Sequence, residues 1–257
     1  MYHFFVTSEN VDLVNNKTYI FGSDVNHIKN VLRIKAGEEI LISDGLGHDY
    51  VCEVEEVNND CIVSGITDEQ FMGTELPVKL YLFQGLPKSD KMELIIQKAC
   101  ELGAFEIIPV ATKRAVVKLD DKKAKKKTDR WNSIAESAAK QSRRSIIPVV
   151  KEPMNYKEAL SYAKDLDMVL IPYENYKDMT ETKQVIDEIN TENIKSIGIF
   201  IGPEGGFEKE EVDMADDCGF KRISLGKRIL RTETAGLMIL SVIGFKIELE
   251  NNNGSIL

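Results

Sequence analysis

The sequence is short of what a metal centre, a disulfide framework or a membrane span would need. Its four cysteines, Cys52, Cys61, Cys100 and Cys218, are scattered without a C-x-x-C pair, and only three histidines accompany them. That spacing gives no ligand set for zinc and reads as reduced thiols serving as small buried hydrophobes, so no metal is expected. No apolar run approaches the ~18 residues of a membrane helix. The opening MYHFFVTSEN has neither a basic region nor a cleavage site, which points to a cytoplasmic protein without membrane contact. The single tryptophan, Trp131, falls at helical spacing among apolar neighbours and is read as a packing residue. Phosphate-loop signatures are missing too: there is no GK[ST] and no G-x-G-x-x-G.

Charge is plentiful and unevenly placed. The net charge of -9 over 257 residues argues against a nucleic-acid partner, but its distribution reverses that expectation. Residues 1–83 carry a balance of -9, residues 84–150 one of +7 and residues 151–257 one of -7. A basic segment inside an acidic chain is the footprint of a phosphate-binding face. For the run KKAKKK (Lys122–Lys127) alone, a solvated helix face explains the lysines equally well.

Two patterns divide the chain into residues 1–72 and residues 73–257. In the first part EEILISDG and HDYVCEVEEV, joined by a turn around Gly45 and Gly47, read as a hairpin, and CIVSGI as a third strand. DVNHIKNVLRI reads as one helix capped by Asp24, and the whole as a small β-barrel-like domain. Gly73 and Pro77 punctuate the boundary. From Val78 onward short apolar strands (VKLYLFQ, FEIIPV, DMVLIPY, SIGIFIG, FKRISLG) alternate with helices. The first helix is capped at Ser89 or Asp90 and stopped at Gly103, and a long one covers Asp121 to Arg143. Two more lie near Thr182–Ile189 and Lys209–Asp217, and an apolar helix begins about Thr234. Strands alternating with helices predict a mostly parallel α/β sheet.

Ligands of such sheets bind at the carboxyl ends of the strands. Three ends are candidates: IPYEN, IGPEGGF and LGKRILRTE. The glycine-rich one suits phosphate poorly, because Pro203 removes a backbone donor and Glu204 puts a carboxylate where a phosphate would sit. S-adenosylmethionine fits better, since its adenosine is read by backbone groups and its sulfonium tolerates a carboxylate. A tight turn using glycine for positive φ fits the same residues. Arg231 sits in front of a helix N-terminus, against the field there, and so calls for another partner, whereas Glu233 follows the first-turn preference.

Five blocks then carry a resemblance: HIKNVLRIKAGEEI, KSDKMELIIQKACELGA, SIAESAAKQSRRSIIPVV, FIGPEGGFEKEEV and ISLGKRILRTETA. In this order they resemble the RsmE-type ribosomal RNA small-subunit methyltransferases of the SPOUT superfamily, over nearly the whole chain. The resemblance implies a PUA-like RNA-binding domain followed by an α/β domain tied in a C-terminal trefoil knot. It implies a homodimer using the apolar C-terminal helix, with S-adenosylmethionine as cofactor and N3 of one uridine in the decoding region of 16S rRNA as target. It places the cofactor against Ile171, Pro172, Tyr173 and Glu174, against Ile201, Gly202, Pro203, Glu204, Gly205 and Gly206, and against Leu225, Gly226, Ile229 and Leu230, with Thr234 and Ala235 close by. At position 3 this chain has His3 where the family more often has arginine. A ribose 2′-O-methyltransferase of the same superfamily and a non-catalytic rRNA-binding assembly factor are the alternatives.

Uridine N3 becomes a nucleophile only when its imide proton leaves, so the site needs a base or a cation that stabilises the anion. Arg231 is the expected cation, and Glu204 or Glu233 the expected proton acceptor. Arg33, Lys88, Lys91, Arg114, Gln141, Arg143 and Arg144 are expected to contact the RNA of the small ribosomal subunit.

Overall fold

Two periodicities of apolar residues build two compact units. The structure, a computed structural model, describes residues 1–71, 73–117 and 120–253. The first unit comprises Met1–Glu75 with Ala139–Ile147, and the second Leu76–Ala138 with Pro148–Leu257.

The first unit is a six-stranded sheet of β1 (Tyr2–Phe5), β2 (Val11–Asp12), β3 (Lys17–Phe21), β4 (Glu39–Ser43), β5 (His48–Val57) and β6 (Cys61–Phe71), in the order β1-β4-β5-β6-β3-β2. β1 runs parallel to β4 and the other pairs are antiparallel. Ile20, Ile28, Ile40, Ile42, Cys52, Val54 and Ile62 fill its core. The weak alternation of β5 has a cause: its register against β6 shifts at Val51/Cys52 and again at Val54/Glu56, and each bulge changes which face the next residue takes. The predicted helix is a four-residue turn, α1 (Ser23–Asn26), continued by π-helical residues His27–Leu32. Asp24 is not its cap: Gly22 precedes the helix, and the Asp24 carboxylate pairs with Lys140 Nζ at 3.0 Å.

His3 is buried in this unit. Its Nε2 is 2.7 Å from Ser43 Oγ, and Ser43 and Ser145 both donate to the buried Asp49 carboxylate. The neutral ring is favoured: burial holds the His3 pKa below its ordinary value, although the Lys140 carbonyl and Asp49 pull the other way.

The second unit is a parallel sheet of β7 (Lys79–Gly85), β8 (Ala104–Ala111), β9 (Val149–Val150), β10 (Met154–Asn155), β11 (Met168–Pro172), β12 (Ser196–Ile201) and β13 (Lys221–Ile223). Its order is β10-β8-β7-β12-β11-β13, with β9 also on β8. The helices are α2 (Lys91–Glu101), α3 (Asp121–Ser142), α4 (Tyr156–Ala163), α5 (Met179–Asp187), α6 (Lys209–Asp217) and α7 (Thr232–Asn253). Alternate strand residues go to opposite faces. Leu80, Leu82, Leu170, Ile197 and Ile199 pack with α2, α3, α5 and α7. Phe83, Val169, Ile171 and Phe200 pack with α4 and α6. The expected α/β sheet behind a small β unit is therefore present. α2 departs from expectation, since neither Ser89, at φ 57, nor Asp90 caps it through a side-chain hydrogen bond. α4 was not foreseen, although Asn155 and Glu158 form a reciprocal capping box at its start.

Candidate active site at the carboxyl ends of the strands

β12, β11 and β13 are neighbours and parallel, so the loops leaving their carboxyl ends meet on one side of the sheet. The Tyr173 amide donates to Ile223 O (3.1 Å) and the Ser224 amide to Thr182 Oγ1 (2.9 Å), tying down the loops after β11 and β13. The glycine loop after β12 closes on itself through Gly206 N–H to Pro203 O (2.9 Å), with Gly206 at φ 68, and Glu174 approaches Gly206 from the β11 side.

A fourth strand end belongs to the site, and sequence reasoning missed it. β7 lies beside β12, and the segment that leaves it, Gln84–Asp90, packs on the glycine loop. A Cβ on Gly85 would stand 2.7 Å from Pro203 N and Cδ, so only glycine allows this approach. Gln84, fully buried, donates its amide to Thr232 Oγ1 (2.8 Å) and Gly85 O (3.0 Å), and Thr232 Oγ1 donates to Gly202 O (2.6 Å). Because the Gly85 carbonyl only accepts and the Thr232 proton is committed, the amide orientation is set, and Gln84 Oε1 is left buried without a partner. The signal was available, because β7 is as parallel as the other three strands and its carboxyl end falls under the same rule.

Charge gathers around the glycine loop. Lys91, first residue of α2, lies 3.1 Å from Glu204 Oε1 and 3.4 Å from Glu233 Oε2. The Lys88 amide donates to both Glu204 oxygens, at 3.1 and 3.3 Å. Burial pushes the Glu204 carboxyl up, but its own backbone N–H, Lys91 and the Lys88 N–H outweigh that and hold it below the usual carboxylate range. Arg114 is engaged rather than free, donating to Gly205 O (2.7 Å) and pairing with Glu208 (3.0 Å). Arg231 immediately precedes α7, is exposed and makes no ion pair with a described residue; the same holds for Lys227 and Arg228.

The structure sorts the expected cofactor residues by what they can offer. Ile171 and Ile201 have their side chains in the core, and the Ile229 side chain is 89% exposed, so these three can serve a ligand through backbone groups. Pro172, Tyr173, Gly202, Gly206, Leu225 and Leu230 are half-buried on the loops, Pro203 is buried, and Glu174, Gly205 and Gly226 are exposed. Thr234 is exposed, and Ala235 packs on the core. Among the described residues, only one N–H of Leu225–Arg231 finds a hydrogen-bond acceptor, that of Gly226 on Ser224 Oγ. Free backbone donors, an orphaned buried acceptor and nearby carboxylates fit a polar, partly cationic nucleoside ligand and do not suit a triphosphate.

Of the expected RNA contacts in the second unit, Lys88 is exposed and Arg114 supports the glycine loop. In the first unit Arg33, Gln141 and Arg143 are exposed. Arg144 is a correction. It is 4% exposed and forks onto Glu75, its Nε 3.1 Å from Oε1 and its Nη2 against Oε2. A guanidinium so enclosed is a structural ion pair and is not available to phosphate. Among the described residues no group of three or more His, Cys, Asp or Glu could hold a metal ion, and no helix is long and apolar enough to cross a membrane.

Comparison with known proteins assigns the class. Residues 74–244 match the family of RNA methyltransferase domains, and residues 22–64 the RNA methyltransferase PUA domain, so the sheet and its loops are those of an RNA methyltransferase. The ribosomal RNA small subunit methyltransferase E of Bacillus subtilis is 41% identical over 90% of either chain, and that of Mesomycoplasma hyopneumoniae 36% identical over 94% of this chain and 98% of its own. The Neisseria gonorrhoeae enzyme of that name, solved with S-adenosylmethionine, superposes with a TM-score of 0.80 at 31% identity, covering 96% of this chain and 98% of its own. A putative methyltransferase of Legionella pneumophila, also solved with that cofactor, gives 0.81 at 28% identity, over 95% and 97%. The chain belongs to the ribosomal RNA small subunit methyltransferase E family.

Proposed function

We propose that this protein transfers a methyl group from S-adenosylmethionine to N3 of one uridine in the decoding region of 16S rRNA, in the cytoplasm and on the assembled small subunit. The observation that carries the uridine assignment is Arg231, an exposed guanidinium with no ion pair among the described residues, beside strand-end loops and a helix start that carry Glu174, Glu204 and Glu233. Family membership supports rRNA methylation with this cofactor.

Bound at the loops, the cofactor supplies an electrophilic methyl carbon on a sulfonium. The backbone of Leu225–Leu230 and of Gly202–Gly206 holds the nucleoside, and Glu174 and Glu204 give the pocket the negative potential a sulfonium favours. Arg231 faces the uracil and stabilises the negative charge that spreads over its carbonyls as the N3 proton leaves. Glu233 takes that proton. Glu204, held ionised by three donors, is the poorer acceptor and serves as a fixed charge. One N3–C bond forms as one S–C bond breaks, and alignment of the two centres is the main demand on the protein.

Arg33 and the exposed Gln141 and Arg143 approach the rRNA from the first unit, and Lys88, Lys227 and Arg228 from the second. The protein acts as a homodimer. α7 buries Ile239, Leu240, Ile243 and Ile247 but leaves Met238, Val242, Phe245 and Leu249 exposed at spacings of three and four, a second apolar stripe that calls for a partner helix. The trefoil knot of the superfamily belongs to the same proposal.

Small subunits from a strain lacking this protein, incubated with it and S-adenosylmethionine, test the assignment by primer extension. A new strong stop at one decoding-region uridine is expected, because an N3 methyl blocks pairing. Methyl transfer without a stop would move the assignment to a ribose, and binding without transfer would make the protein an rRNA-binding assembly factor.

A further inference from the structure

Lys91 joins two elements that the chain brings together from far apart. Its ammonium touches a carboxylate of the glycine loop after β12, Glu204, and one in the first turn of α7, Glu233. Among the described residues neither carboxylate meets a second cation. The other charged groups at these element ends, Lys88 and Asp90 before α2, Glu93 in its first turn and Arg231 before α7, form no ion pair with either, and Glu93 pairs with Arg130. The Glu233 side chain is only 15% exposed, and its Oε2 makes no hydrogen bond.

Two carboxylates within 3.4 Å of one nitrogen are close enough to repel each other strongly once that nitrogen is removed. One of them would then hold its proton to a higher pH than it does beside the ammonium, as paired carboxylates do. A protonated Glu233 takes no proton from the uracil, and a protonated Glu204 offers the sulfonium no charge.

We propose that Lys91 is a positioning residue of the methyl-transfer site, which keeps Glu204 and Glu233 ionised together and fixes the glycine loop against the start of α7. The inference rests on the assignment of these loops as the S-adenosylmethionine pocket. Lys91 holds the three-group cluster at one net negative charge, which matches the single positive charge on the sulfonium. The attraction ends when the methyl group has left and the sulfur is neutral. The raised proton affinity of Lys91, caused first by its hydrogen bond to Glu204 and then by Glu233, keeps the ammonium charged throughout.

The test uses carboxyl-carbon NMR on the ligand-free protein, with signals assigned through Glu204→Gln and Glu233→Gln, followed by calorimetric titration with S-adenosylmethionine at several pH values. In Lys91→Met one of the two carboxylates should titrate about one pH unit or more higher than in the parent protein. The acid limb of cofactor binding should move up with it. Lys91→Arg should keep both midpoints, and removing either carboxylate from Lys91→Met, by Glu204→Gln or Glu233→Gln, should abolish the raised midpoint, which no merely structural lesion does. Unchanged carboxyl midpoints in a folded Lys91→Met would overturn the inference. So would a loss of cofactor affinity equal at every pH. A carboxyl shift in Lys91→Met together with a parent protein that binds no S-adenosylmethionine would overturn the pocket assignment and leave the charge clamp standing.

Discussion

Arg144 and Arg231 are the same side chain put to opposite uses, and burial decides which. Arg144 is enclosed with Glu75, whose Oε1 also accepts from the Ser145 amide at 3.0 Å. Arg144→Ala leaves that carboxylate buried without its cation and should destabilise the first unit by about 3–5 kcal/mol, read by urea unfolding. Arg231 is exposed and makes no ion pair among the described residues, so its loss should leave stability and cofactor affinity close to the parent values. Methyl transfer by Arg231→Ala should nonetheless fall about 10²–10³-fold, the usual cost of removing a donor aimed at developing charge. Transfer at the parent rate would show that Arg231 faces something else. His3 adds a pH dependence with a defined sign. Its folded-state pKa lies below the ordinary 6.5, so the folded protein binds fewer protons than the unfolded chain between those two values. Stability is therefore full above 6.5 and declines as the pH falls below it towards the folded value. His3→Gln should flatten that decline in unfolding titrations.

At the scale of elements, the segment between β7 and α2 decides whether the pocket exists. Gly85→Ala would drive a Cβ into the Pro203 backbone, which has no side-chain freedom with which to yield. The glycine loop should shift, and methyl transfer should fall about a hundredfold while the circular dichroism of the helices is retained. This segment also marks the limit of what could be read from the chain. β7, β8, β11, β12 and β13 were legible because each belongs to a short apolar run, largely buried on both faces except in the half-buried β13, whereas the two-residue β9 and β10 left no such run. The loops after β11, β12 and β13 followed from the legible strands. QGLPKSDK has no glycine-rich signature, so although the strand-end rule covered β7, the partners of this segment, more than a hundred positions later, were not named by any local pattern. The fate of Arg144 likewise depended on Glu75, a distant partner that no local pattern names. The bulges of β5 blurred its alternation, and α4 was hidden behind the two-residue strands that precede it.

For the whole molecule the proposed dimer rests on the second apolar stripe of α7. A single charge at its most exposed member, Phe245→Glu, places a carboxylate where the partner helix would pack. Sedimentation should then report a monomer where the parent protein sediments as a dimer; a parent protein that is itself monomeric would refute the interface.

The first unit is not a continuous stretch of chain. It takes Met1–Glu75 and then Ala139–Ile147, and its polar centre needs both: Asp49 waits for Ser145, and Glu75 for Arg144. During synthesis, six strands leave the ribosome first and have no closing piece until Leu76–Ala138 have followed. Completion of this unit thus waits on translation of part of the other one. A fragment cut after Glu75 would keep every strand of its sheet and still lack the residues that close it.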